Sequence, residues 1–251
     1  MQYGSLSLTL ERAVPPVVRA SGELDAESFG CFETTVRDAL GKCEDIVCLA
    51  LGELTYVDSS GISALAKAAM DASKSSRRLK IISMTPHLDH LLALAGIKDL
   101  FIVSIAEHEA RDEEPPTGKA KTRTFGAPRE ANACRSVREQ VCEFARQMGF
   151  GGMALEDIRL AIGEAVSNAV RHGAVCGESM ELHCLNSANR LTVTIKYPSA
   201  EFDPSAVPTP TYSTASEGGM GIHFMKLVMD KVHYEFLEGR TELTLEKKLA
   251  V

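Results

Sequence analysis

Residues 54–73, LTYVDSSGISALAKAAMDAS, pass from an extended pattern into a helical one. Leu54, Thr55, Tyr56 and Val57 are β-branched, aromatic or apolar, which suits the end of a strand. After Asp58 the apolar positions Ile62, Leu65, Ala66 and Ala69 recur at helical spacing. Asp58, Ser59 and Ser60 therefore stand at a helix N-terminus, where side-chain oxygens accept hydrogen bonds from backbone N–H groups left unpaired by the helix. The helix dipole there stabilises negative charge by about 0.3–1 kcal/mol. The fold tolerates a phosphate in such a place, and its charge of about −1.5 to −2 repels an acidic or apolar partner surface. On the tetrapeptide alone, helix capping is the plainer account of the two serines.

Outward from this stretch, short β-rich runs alternate with helical patterns. LSLTL at 6–10 and PVVRASG at 16–22 read as strands, followed by a helix from Ala26 to about Leu40. DIVCLAL at 45–51 and LKIIS at 79–83 flank the helix after Asp58, and a further helix spans Pro86 to Ala95. Such alternation signals a layered α/β domain. The periodicity then stops at EHEARDEEPPTGKAKTRTFGAPRE, residues 107–130, which mixes charges of both signs with Pro115, Pro116, Gly118, Gly126 and Pro128. This is the expected boundary: a domain over 1–108, a linker over 109–127 and a second domain over 128–251. The second domain begins with long helical patterns at Glu130 to Met148 and Ala154 to His172, ahead of the strands MELHCLN at 180–186 and RLTVTIKY at 190–197. A helix from Gly221 to Met229 and a hairpin over 232–249, turning at Glu238-Gly239, complete it.

Composition narrows the class of function. The chain has 251 residues, is 45% hydrophobic and carries a formal charge of −7, so it can bury a core and lacks the basic surface that nucleic acid or anionic lipid requires. No stretch approaches the ~20 apolar residues of a membrane span, and the N-terminus has no basic segment leading into a long apolar run, so a cytoplasmic protein is expected. The cysteines (Cys31, Cys43, Cys48, Cys134, Cys142, Cys176 and Cys184) form no Cys-x-x-Cys pair and read as reduced structural thiols. Neither they nor His87, His90, His108, His183, His223 and His233 show metal-ligand spacing.

The setting of Asp58-Ser59-Ser60-Gly61 carries a resemblance. With GELDAESF at 22–29 before it, VCLALGELTYVD at 47–58 leading in and KIISMTPHLDHLLALAGI at 80–97 beyond, residues 4–108 resemble the STAS-type anti-anti-sigma factors. The resemblance implies a β-sheet backed by helices and a phosphorylated serine directly after the Asp. That serine is Ser59, with Ser60 as the alternative.

In DIRLAIGEAVSNAVRHG, residues 157–173, Asp157, Glu164, Asn168 and His172 fall near one helical face. A carboxylate at Glu164 is able to orient or deprotonate a hydroxyl, and the Asn168 amide oxygen is able to ligate Mg²⁺. Taken alone, a solvated helix face explains the same residues. In SEGGMGIHFMKLVMDKV, residues 216–232, Gly218, Gly219 and Gly221 precede an apolar helix, an arrangement that cradles phosphate, though a surface turn also accounts for it.

Together these two motifs resemble the N box and G2 box of the GHKL ATPases, and within them the anti-sigma-factor serine kinases, over residues 128–248. The resemblance implies a two-layer α/β sandwich of the Bergerat type and a Mg-ATP cofactor. In it Asn168 binds Mg²⁺, Glu164 is the general base, and Gly218, Gly219 and Gly221 contact the phosphates. It also implies a homodimer through the C-terminal domain. One box departs. In TVTIKYPSAEFDPSAV, residues 192–207, Phe202, Asp203 and Pro204 fit the family, but Tyr197 occupies the place of the adenine-binding Asp, and Ser199 and Glu201 replace glycines. The expected protein is thus a partner-switching regulator that meets a sigma factor, a STAS antagonist or an anti-sigma kinase. It is either a protein-serine kinase or a docking module without nucleotide turnover.

Overall fold

The computed structural model describes residues 2–3, 5–105, 122–128, 131–172, 179–187, 189–200, 220–237 and 239–249. These fall into two compact units.

The first unit runs β1 (Gln2–Tyr3), β2 (Leu6–Glu11), β3 (Val17–Leu24), α1 (Phe29–Leu40), β4 (Ile46–Val57), α2 (Ser59–Lys74), β5 (Arg78–Met84), α3 (Pro86–Leu94) and β6 (Ile102–Val103). Its six-stranded sheet has the order β1-β2-β3-β4-β5-β6. β1, β2 and β3 pair antiparallel, whereas β3 through β6 pair in parallel. Parallel neighbours need crossovers, which α1, α2 and α3 supply. β4 lies in the middle and is buried without interruption from Val47 to Leu51, the signature of a strand covered on both faces. Phe32 and Val36 of α1 and Ile62 and Leu65 of α2 complete that core.

α1 begins at Phe29, later than the expected Ala26. The reason is a local polar turn. The Asp25 carboxylate accepts from the backbone N–H groups of Glu27 and Ser28, each at 3.1 Å, and Ser28 Oγ accepts from Asp25 N at 2.8 Å. Short Asp and Ser side chains compete with the helical ladder in this way.

The second unit runs β7 (Thr122–Pro128), α4 (Ala131–Gln147), α5 (Gly152–His172), β8 (Ser179–Ser187), β9 (Arg190–Pro198), α6 (Met220–Val228), β10 (Lys231–Leu237) and β11 (Arg240–Lys248). Its five-stranded sheet has the order β10-β11-β9-β8-β7, antiparallel throughout. β9 and β11 alternate buried and less buried residues, so one face is covered, and α5 packs over these two strands. Gly239, at φ +74°, supplies the left-handed residue of the hairpin between β10 and β11.

β7 corrects the expected extent of the linker. Residues 122–127 were read as connection, yet Thr122–Pro128 pair antiparallel with Ser179–Leu185. Phe125 and Ala127 are buried, and the Arg123 guanidinium lies 5.1 Å from the Phe125 ring centre. Gly126 and Pro128 hide this alternation in the sequence; an edge strand accommodates both. The strands β1 and β6, each of two residues, also went unread.

Cys31, Cys43, Cys48, Cys134, Cys142 and Cys184 form no disulfide, and burial pushes the Cys184 thiol up to about 12, so it stays protonated. Cys176 lies outside the described residues. No helix among those residues is long and apolar enough to cross a membrane.

Gly61, like Gly22 in β3, is fixed by space. A Cβ on Gly61 would press on the Leu24 carbonyl oxygen and lie 2.8 Å from Val57 Cγ1. Backbone and a packed valine have little room to yield. Gly61→Ala is therefore expected to lower stability by about 1–3 kcal/mol despite the higher helix propensity of alanine. Urea unfolding of the full chain, followed by circular dichroism, checks this; an unchanged transition refutes it.

Candidate functional site

Each unit brings a singled-out residue to the start of a helix, Ser59 at α2 and Gly221 at α6. In the first, Asp58 is the N-cap of α2, with extended backbone (φ −101°, ψ −174°), and its Oδ1 accepts from Gly61 N at 2.9 Å. The Asp58 N–H donates to the Leu24 carbonyl at 3.3 Å, tying the end of β4 to the end of β3. Leu24 and Val57 are register partners, so the Asp25–Ser28 turn and the Asp58–Gly61 turn open at the same edge of the sheet. Ser59 and Ser60 are half-buried there. Ser63, a residue sequence reasoning passed over, donates from Oγ to the Ser59 carbonyl at 2.8 Å.

In the second unit the polar residues of α5 separate by environment. Glu164 is buried, Asn168 half-buried and His172 exposed. Partial burial, with Arg171 alongside, lowers the His172 pKa. Glu164 meets α6 at Gly221. A Cβ on Gly221 would press on Glu164 Oε2 and lie 3.2 Å from its Cδ. The carboxylate thus rests against Cβ-free backbone in the first turn of a helix, where the dipole favours negative charge by about 0.3–1 kcal/mol.

Below the same stretch of α5, β10 contributes Tyr234. Its hydroxyl is buried and makes no hydrogen bond of good geometry; the Asn168 side chain is the polar group that faces it. Burial first, and then Tyr197 and Glu164 nearby, push the phenol up, while Asn168 opposes them. The Tyr234 ring stacks on Phe236 with centroids 6.4 Å apart. Tyr197, on β9, is buried opposite Thr241 of β11, and the Thr241 and Ser199 hydroxyls bond at 2.5 Å.

Asp157 does not share the environment of Glu164. Its Oδ2 accepts from Lys247 Nζ at 2.8 Å, and the same ammonium donates to the Val228 carbonyl at the end of α6. With side chains only 11% and 17% exposed, this pair fastens α5, α6 and β11 together, so Asp157 is structural. Gly218, Gly219, Glu201, Phe202, Asp203 and Pro204 lie outside the described residues.

Tyr234, Thr241 and Lys247 escaped the sequence reading, although a signal for the first two existed. The turn at Gly239 pairs Leu237 with Arg240, which sets Tyr234 opposite Leu243 and Phe236 opposite Thr241. Once Leu243 and Leu245 define the covered face, both residues belong to it. No group of His, Cys, Asp and Glu suited to hold a metal by itself exists among the described residues.

The family model of the histidine kinase-like ATPase domain matches residues 127–247, and that of the Mlab-type STAS domain matches residues 9–104. The serine-protein kinase RsbW of Bacillus pumilus is 30% identical over 117 residues, spanning 42% of this chain and 72% of the relative. The chain belongs to the RsbW family, with a STAS domain fused ahead of the ATPase domain. The RsbW kinase of Bacillus licheniformis is 27% identical over 119 residues, with 72% of its length covered. Among solved structures, an anti-sigma factor antagonist from Mycobacterium paratuberculosis is 19% identical over 40% of this chain and 86% of its own, at a TM-score of 0.36. The RsbU and RsbW domains of a Mycobacterium tuberculosis protein are 20% identical over 52% of this chain and 33% of theirs, at a TM-score of 0.41.

The contact between Gly221 and Glu164 in this RsbW-type domain is testable by a double-mutant cycle. Gly221→Ala alone is expected to cost about 1–3 kcal/mol, because a buried carboxylate must move. In a Glu164→Ala background the same change should be neutral or stabilising by up to about 1 kcal/mol, since only the helix propensity of alanine remains. Equal costs in both backgrounds, by urea denaturation, refute the contact.

Proposed function

We propose that this chain is a partner-switching regulator in which Ser59 is the phosphorylated switch and the RsbW-type domain binds Mg-ATP, meeting a sigma factor, an antagonist or a kinase protein as partner. The observation that carries the reading is the seating of the Glu164 carboxylate against Gly221 in the first turn of α6. Two residues that the sequence singled out in separate motifs come together, one able to take a proton and one offering backbone N–H groups.

The residues fit a Mg-chelated triphosphate at this end. Asn168 stands one turn beyond Glu164 on α5 and presents an amide oxygen, a donor that suits Mg²⁺. The buried Tyr234 hydroxyl, without a well-formed hydrogen bond, offers a further polar group beside it. Mg-ATP, when bound, would supply the γ-phosphoryl group, with ADP as the leaving group and Mg²⁺ offsetting the charge. The protein orients the attacking serine hydroxyl, accepts its proton at Glu164 and excludes water, which is the larger part of such catalysis. On the other unit, the acceptor is Ser59, or Ser60 as its neighbour. The homodimer through the C-terminal domain belongs to this reading as well, with α4 as the surface it would use.

A second reading has its own support. Tyr197, buried where relatives of this family are expected to carry an Asp, removes an ionic acceptor, a loss of about 1–3 kcal/mol. On that reading the domain docks its partner without turning over nucleotide, and another kinase modifies Ser59.

Intact-protein mass spectrometry after incubation with Mg-ATP separates the two. The first reading expects one added phosphate on the native chain, none on Ser59→Ala and a rate at least about 100-fold lower on Glu164→Ala. No added phosphate on the native chain, with tight partner binding retained, favours the second. Phosphate that persists on both variants sinks the first.

A further inference from the structure

The sheet face beneath α5 is apolar along most of its length, where Val193 and Ile195 of β9 stand beside Leu245 and Leu243 of β11. Its character changes at one end. The next cross-strand row is Tyr197 opposite Thr241 opposite Phe236, and the strand then reaches Ser199. Tyr234 joins them from the row of Leu243. Hydroxyl groups are therefore gathered at the end of the face that lies under Glu164 and Asn168, and among the described residues no strand places a carboxylate on that face. The acidic residues of β10 and β11, Glu235, Glu242 and Glu246, alternate to the opposite side, and β9 has none.

We propose that this hydroxyl-lined end receives the base of a purine nucleotide without distinguishing a 6-amino from a 6-oxo purine. The proposal rests on the nucleotide reading above and specifies its substrate class. A carboxylate only accepts hydrogen bonds, so it pairs with an exocyclic amino group and leaves a carbonyl oxygen facing like charge. A hydroxyl rotates about its C–O bond and both donates and accepts. Strong discrimination between ligands arises when the wrong one strands a buried polar group of the site without a partner. Tyr197 and Tyr234 strand nothing in either case, and the Thr241 hydroxyl keeps its bond to Ser199. The affinity comes instead from the phosphate end, where Asn168, through Mg²⁺, and the first turn of α6 meet features that all nucleoside triphosphates share.

Titration calorimetry of the full chain with Mg-ATP, Mg-GTP and Mg-ITP tests this. The three dissociation constants are expected to agree within about threefold. The chain has no Trp and five Tyr, so the part of a tyrosine-emission change on binding that Tyr197→Phe removes reports on this end of the sheet face. Tyr197→Asp should create a preference for ATP over GTP of about tenfold or more, since it restores an acceptor that only the amino group satisfies. Because Tyr197 is buried, Tyr197→Phe serves as the conservative control: it should weaken all three alike and leave their ratio unchanged. A native preference of about tenfold or more for either purine overturns the proposal while nucleotide binding stands. Failure of all three to bind at millimolar concentration removes the proposal and the nucleotide reading together.

Discussion

Backbone that lies against an oxygen atom, with no Cβ between, sets the geometry at both helix starts. At Gly61 the oxygen is the Leu24 carbonyl, and at Gly221 it is the Glu164 carboxylate. The two contacts differ in kind. A carbonyl in β3 is held by its ladder, so the first contact fixes where α2 begins relative to the sheet. A carboxylate at the tip of a side chain moves when pushed, so the second contact fixes the side chain rather than the helix. The first is therefore a folding constraint and the second a constraint on chemistry.

The position of α6 needs a different anchor, which the Lys247 ammonium provides by joining the Asp157 carboxylate to the Val228 carbonyl. Removing one partner of so enclosed a pair leaves an uncompensated charge, which costs about 3–5 kcal/mol, far more than an exposed ion pair contributes. Ion pairs such as Lys74 with Asp71, at 71% and 42% exposure, belong to the weaker class. The anchor holds the C-terminal end of the helix whose N-terminal end touches Glu164, so the ion pair and the Gly221–Glu164 contact act on opposite ends of one short rod.

Much of this was legible in the sequence because the signals were local. Asp58 as cap, the helical spacing of Ile62 and Leu65, and the run of polar residues on α5 need only neighbouring positions to be read. What escaped depends on remote partners. β7 becomes a strand by pairing with β8, which follows two whole helices later, and its Gly126 and Pro128 argue against a strand when read alone. Asp157 looked like Glu164 because helical spacing reports a shared face; it says nothing of a lysine that arrives from β11. Tyr234 was hidden for a subtler reason. The hairpin turn does determine its face, but a tyrosine on an edge strand is unremarkable until α5 is known to cover it. Gly218 and Gly219, read as partners of Gly221, lie outside the described residues, so the glycine loop rests on Gly221 alone.

The capping arrangement also bears on how the proposed switch at Ser59 would work without unfolding the domain. The group that satisfies the start of α2 is the Asp58 carboxylate, and Ser63 anchors the Ser59 carbonyl, so neither bond uses the Ser59 hydroxyl. A phosphate there would gain about 0.3–1 kcal/mol from the helix dipole and lose about 1.5–2 kcal/mol to the Asp58 charge, for a charge of about −1.5 to −2 at about 4 Å in water. The difference, a cost of about 0.5–2 kcal/mol, is smaller than the stability of an ordinary domain, so the fold would be kept. What does change is the outer surface, which acquires a charge of about −1.5 to −2 at a half-buried position between the Asp25 turn and α2. A partner that buries this edge must then desolvate that charge or pair it with a cation. The switch therefore acts on binding free energy rather than on folding, as exchange of partners between two otherwise unchanged states requires.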